Sequence, residues 1–89
     1  MATKAEREWY AKVVENGCFV CGRPAIVHHR TGAGMGLKAH YKDTIPLCPE
    51  HHNMGEYGHC VHFGTKTFEE NYFTQDYMIE QTRRRIDGD

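Results

Sequence analysis

Four cysteines and seven histidines stand in a chain of 89 residues, and their spacing sorts most of them into chelating pairs. Cys18-x-x-Cys21 is one pair; Cys48-x-x-His51 follows after 26 intervening residues. A turn brings residues i and i+3 to one side, and each pair begins where a structural element changes. Together they can close one tetrahedral zinc site with three thiolates and an imidazole. Cys60 remains over, either a free thiol or a substitute for His51 as fourth ligand. The second group is made of imidazoles, with His28-His29 in one place and His52 directly after His51. Neighbours on a strand face opposite sides, so one of His28 and His29 can ligate an ion while the other points elsewhere. Neighbours on a helix lie about 100° apart, so His51 can serve one ion and His52 another. A neutral imidazole, with a pKa of about 6.5, takes up a proton near neutral pH, and the combined chemistry is metal binding beside a general base.

The rest of the composition explains why a chain this small would need a metal. Eighty-nine residues allow one domain, 1–89, since a chain of this size buries only about 60% of its unfolded surface. Nine glycines and a mean hydropathy of -0.71 leave a thin core, and a structural ion or disulfides would have to supplement it. The N-terminus, Met1-Ala2-Thr3-Lys4-Ala5-Glu6-Arg7-Glu8, carries no apolar stretch of a secretory signal, and no run approaches a membrane span. The expectation is a cytoplasmic protein without a membrane partner, whose reduced thiols bind metal rather than pair with one another. The net charge of -1 does not advertise a polyanion partner, but its distribution is uneven. Arg23, Arg30, Lys38 and Lys42 fall in a stretch with no acidic residue, whereas nine of the twelve acidic residues lie from Asp43 onward. A local basic face and an ordinary solvated surface are both compatible with that pattern.

The elements that must position these residues can be read along the chain. Thr3 and Glu6 form a capping-box pair, Ala5, Trp9 and Val13 recur every four residues, and Gly17 suits the end of a helix. The cysteine knuckle follows, then Ala25-Ile26-Val27-His28-His29 as a strand. Alternate glycines from Thr31 to Gly36 predict a loop whose backbone can approach a partner closely. Thr44-Ile45-Pro46-Leu47 reads as a second strand, with Pro46 confining it to an edge or a strand end. Pro49 then opens a short helix from about Cys48 through Asn53. Thr67 and Glu70 repeat the capping box, so helix resumes near Thr67. Phe68, Tyr72, Met78, Ile79, Thr82 and Ile86 supply the apolar positions of one or two helices broken near Phe73-Thr74. Asp87-Gly88-Asp89 reads as a frayed end. Arg83-Arg84-Arg85 lie where cations complement a helix dipole.

A strand ending in His-His, a glycine-rich connection, a second strand and a helix opening on Cys-Pro-Glu-His-His resembles the ββα-metal finger of HNH nucleases. The resemblance extends across nearly the whole chain. Lys4-Ala5-Glu6-Arg7, Cys18-Phe19-Val20-Cys21, Ile26 through Gly32, Gly34-Met35-Gly36, Ile45 through His52 and His62 through Glu69 together resemble the phage Ref family of RecA-dependent HNH nucleases. The implied fold is small α+β, a zinc-stabilised ββα-metal core, also called HNH or His-Me finger, with flanking N- and C-terminal helices. The implied activity is hydrolysis of DNA phosphodiester bonds, linked to recombination and guided by RecA filaments on single-stranded DNA, in the cytoplasm of a phage host.

By that resemblance His28 and His52 bind the catalytic ion and His29 is the general base. The third ligand is His62, with His59 as its competitor. The central polar position of the HNH pattern falls to Asp43 or His40, either of which could pin the loop through backbone hydrogen bonds. The implied cofactors are structural zinc on Cys18, Cys21, Cys48 and His51, and a catalytic divalent ion that could be magnesium, manganese or zinc. Arg30, Lys38, Lys42 and Lys66 are the candidates for holding DNA phosphates. The rival reading is a noncatalytic zinc module that binds nucleic acid or protein. A thiol redox protein built on Cys18 and Cys21 is weaker, since no βαβ pattern surrounds the pair.

Overall fold

The computed structural model describes residues 3–30 and 41–88. Helix α1 spans Lys4–Glu15, opened by Thr3, whose hydroxyl accepts the Glu6 N–H at 3.2 Å. Gly17 ends it with φ 73°, and a Cβ there would stand 2.9 Å from the Gly22 carbonyl oxygen, so both backbone conformation and space require glycine. Trp9 and Val13 are buried, while Ala5 is exposed, so the apolar stripe is narrower than the four-residue spacing predicts. The Trp9 indole N–H donates to the Thr44 hydroxyl at 3.2 Å and ties α1 to the sheet.

Strands β1 (Ile26–His29) and β2 (Thr44–Leu47) pair antiparallel, with His28 opposite Ile45 and His29 opposite Thr44. Pro46 is tolerated because its carbonyl accepts the Phe19 N–H at 2.8 Å, away from β1; its missing N–H would have faced that same side. All four residues of β2 are buried, with α1 and helix α3 (Gln75–Asp87) packed against it. Ile45, Leu47, Val61, Phe68, Met78 and Ile79 form the core together with Cys18 and Cys48, so the thiols extend the apolar cluster instead of lying outside it.

After β2 the chain winds a π-helical turn, Glu50–Met54, rather than the α-helix through Asn53 that the sequence predicts. The wider winding coincides with one local and one more distant constraint. Gly55 closes so tightly on the Glu50 carbonyl that no Cβ fits there, and the His51 and His52 carbonyls turn outward to accept the Val61 and His62 N–H groups at 2.8 and 3.0 Å. Helix α2 (Thr65–Asn71) begins at Thr65, two residues before the expected start near Thr67, with Gly64 at its cap position. Gly64 has φ 84° and lies against the Tyr57 ring, and its carbonyl accepts the Phe68 N–H, so Thr67 falls inside the helix. The break before α3 falls where predicted, with the Thr74 hydroxyl accepting the Tyr77 N–H at 3.1 Å. The last helix continues through Asp87, further than the frayed end expected there. The architecture is small α+β: among the described residues, a two-stranded sheet, three α-helices and the π-helical turn. Among the described residues no helix is long and apolar enough to cross a membrane.

Candidate metal centres

The knuckle after α1 and the turn after β2 bring Cys18, Cys21, Cys48 and His51 together, with their ligand atoms all within 4.8 Å of one another. Cys21 Sγ lies 3.6 Å from Cys48 Sγ, and His51 Nδ1 lies 3.6 Å from Cys18 Sγ and 3.2 Å from Cys48 Sγ. A tetrahedron with zinc–sulfur bonds near 2.3 Å and zinc–nitrogen bonds near 2.0 Å has edges of about 3.8 and about 3.5 Å. The observed separations fit a zinc ion in size and in donor set.

Electrostatics agree. Burial would raise the Cys18 thiol pKa, but backbone N–H groups of Cys48, Cys21 and Val20 aimed at its sulfur outweigh burial and bring it below the ordinary value. Burial pushes Cys48 up, as do the neighbouring Cys21 and Cys18 sulfurs. Three adjacent sulfurs cannot all ionise cheaply without a cation among them. Burial also lowers His51, which favours the neutral, ligating imidazole. Cys60 stands apart. It is fully buried, with its sulfur 3.6 Å from the Gly55 carbonyl oxygen, so it packs the π-turn and takes no part in the clamp.

The second cluster is His28, His52 and His62. His28 comes from β1, His52 from the π-turn, and His62 from the segment that the two outward carbonyls strap alongside it. Their rings meet edge to face, with centroids 4.5 to 5.1 Å apart. His62 Nε2 lies 3.0 Å from His52 Nε2. Imidazole nitrogens sharing one ion at about 2.1 Å would be about 3.0 Å apart as cis octahedral ligands and about 3.4 Å apart as tetrahedral ones. Burial lowers His52, and His62 adds to the effect. Burial drives His28 to about 4, with His52, His62 and His29 contributing and Gln75 opposing. His52 Nδ1, the ring nitrogen that does not meet His62, is buried without a hydrogen-bond partner among the described residues. His59 is not part of it: its Nδ1 pairs with the Tyr72 hydroxyl at 2.9 Å, and His62 takes the third place.

His28 and His29 do face opposite ways. His28 is 1% exposed, whereas His29 is open to solvent, its Nε2 3.3 Å from the Tyr10 hydroxyl. Asp43 is committed elsewhere than the HNH pattern implies. Its carboxylate takes the Arg83 guanidinium at 2.5 Å, and its backbone carbonyl accepts the Arg30 N–H. His40 and Lys38 lie outside the described residues, as does the glycine-rich loop at 31–36. Arg30 pairs with Asp76 at 2.8 Å, and Lys42 lies 3.9 Å from Asp87 and over the Trp9 ring; Lys66 is exposed. The three terminal arginines do more than complement the dipole: Arg83 holds Asp43, Arg84 pairs with Glu80, and Arg85 covers the Phe19 ring.

Two residues escaped the reading of the sequence. Gln75 is buried, 4% exposed, with its Oε1 2.9 Å from His28 Nε2. Tyr10 reaches His29 from α1. Neither carries a spacing signal, because a Gln at a helix start and a Tyr beside a buried Trp both read as surface positions. An open cleft of about 560 Å3 borders His51 and is lined also by Glu50, Met54, Glu56, His59 and Tyr72, but by none of the imidazole trio.

The fold and its two clusters define a small α+β protein with a thiolate–imidazole clamp and a neighbouring group of three histidines. The chain belongs to the family described as "Protein of unknown function (DUF968)", whose model matches residues 2–86. It is similar to "Uncharacterized protein YdfU" of Escherichia coli (strain K12), 39% identical over 78 residues. That match covers 82% of this chain and 21% of the relative, so the chain spans about a fifth of the relative's length. No solved structure matches it significantly.

Proposed function

We propose that the chain is a metal-dependent DNA endonuclease of the HNH type, with its hairpin and following turn serving as a ββα-metal core. The observation that carries this reading is the convergence of His28, His52 and His62 from three separate segments, with His29 next in the chain on the other face of the strand. A structural role alone would need only the clamp of Cys18, Cys21, Cys48 and His51, which stabilises so small a fold.

In this reading His28, His52 and His62 hold a divalent ion, magnesium, manganese or zinc, which when bound supplies positive charge against the scissile phosphate. His29 is the general base. With Nε2 against the Tyr10 hydroxyl, Nδ1 is the nitrogen left to take a proton from water. The water oxygen then attacks phosphorus, the bond to the 3′ oxygen breaks, that oxygen takes a proton from solvent while His29 later returns its own to solvent, and the ends left are a 5′-phosphate and a 3′-hydroxyl. DNA is the substrate, and a RecA filament on single-stranded DNA is the partner that would guide the cut.

The test incubates the wild type and His29→Ala with plasmid and displacement-loop DNA, with and without RecA, in magnesium, manganese or zinc. Metal-dependent cutting by the wild type alone, at equal zinc content, supports the reading. No cutting under any condition, or equal cutting by both proteins, overturns it. One observation favours a noncatalytic zinc module instead: Arg23, Arg30, Lys42 and Arg83 each have a carboxylate partner, which reduces the positive charge offered to a phosphate backbone.

A further inference from the structure

Helix α3 contributes one side chain to the imidazole cluster that neither ligand spacing nor the family comparison identifies. Gln75, the first residue of α3, is 4% exposed, and its carbonyl oxygen stands 2.9 Å from His28 Nε2. An amide oxygen is an acceptor only, so the ring nitrogen it meets must carry the proton. The backbone holds the amide in place: the Gln75 N–H donates to the Glu69 carboxylate at 2.7 Å, and the preceding Thr74 caps the helix.

We infer that Gln75 is a positioning residue that fixes the tautomer of His28, with the proton on Nε2 and the lone pair on Nδ1, and thereby sets how tightly the three histidines hold a divalent ion. The inference rests on the metal-site reading above. A buried neutral imidazole beside two others could place its proton on either nitrogen, and with the proton on Nδ1 the lone pair would face the amide oxygen. Acceptors of this kind orient ligating histidines and raise their donor strength, and their loss weakens metal affinity by roughly 10- to 100-fold. Gln75 also couples the cluster to α3, which packs on β2.

The test uses the whole chain with zinc in the thiolate clamp, because manganese does not compete for thiolates. Three proteins are compared: wild type, Gln75→Met, which keeps the shape without an acceptor, and Gln75→Glu, which keeps a stronger one. Long-range 1H–15N spectra read the His28 tautomer, and loss of the free manganese EPR signal reads ion binding. The expected result is an Nε2–H tautomer and one bound manganese in the wild type. Gln75→Met should bind 10- to 100-fold more weakly at unchanged zinc content, and Gln75→Glu should keep the tautomer and bind at least as tightly as the wild type. An Nδ1–H tautomer in the wild type, or equal manganese affinity in wild type and Gln75→Met, overturns the inference alone. If the wild type binds no manganese while its His28 carries the Nε2 proton, the metal-site reading itself fails and the affinity claim falls with it.

Discussion

His28 is a basic side chain kept in the core, and the price in acid is predictable. Its folded pKa is about 4 against an ordinary value of about 6.5, so the unfolded chain binds the proton first. This contribution to stability is fully present above about pH 6.5 and is lost as the pH falls toward 4, a change on the order of 3 kcal/mol. Urea unfolding of zinc-loaded protein across that range should show the slope, and His28→Gln should flatten it; identical slopes in both would contradict the burial account. Tyr10 gives a second expectation. Tyr10→Phe removes the group that meets His29 Nε2 and should slow any metal-dependent DNA cleavage about tenfold while the zinc content stays unchanged. At this scale the sequence was informative where ligands come in pairs. Cys18, Cys21, Cys48 and His51 were legible because i,i+3 spacing marks each as one of two chelating pairs, whereas Gln75 was not, since its partner lies 47 positions away and no spacing marks it.

Among the elements, the π-turn matters most to the imidazole cluster, because it frees two carbonyls to hold Val61 and His62. Gly55→Ala should force it open, since a Cβ has no room against the Glu50 carbonyl. On the proposed metal-site reading, the expected outcome is loss of ion binding by the three imidazoles with zinc retained in the thiolate clamp, checked by metal analysis after dialysis. Periodicity could not reveal this turn: five residues are too few for a pattern, and what selects the wider winding is a hydrogen bond to a segment ten residues later. Both strands and the break before α3 were legible, because β-branched runs and the Thr74 cap act locally. The start of α2 was not, because packing of Gly64 against Tyr57 overrides the Thr67 capping signal.

Over the whole molecule, the buried thiols and the apolar core are one body, so removing zinc should loosen both together. A strong chelator at neutral pH is expected to abolish cooperative thermal unfolding, and Cys48→Ala should do the same without chelator, both read by circular dichroism. Phe68→Ala, which leaves all seven metal-facing residues in place, should instead lower stability by about 3 to 5 kcal/mol while the zinc stoichiometry at low temperature stays at one in the clamp.

The chain has a single tryptophan, and the structure seats it between the first helix and the second strand, with its indole proton on Thr44 and the Lys42 ammonium over its face. That seat makes the residue a built-in optical gauge. Its emission reports whether the first helix is docked, without any added dye, and a shift to longer wavelength on heating would time that helix's departure against the release of metal.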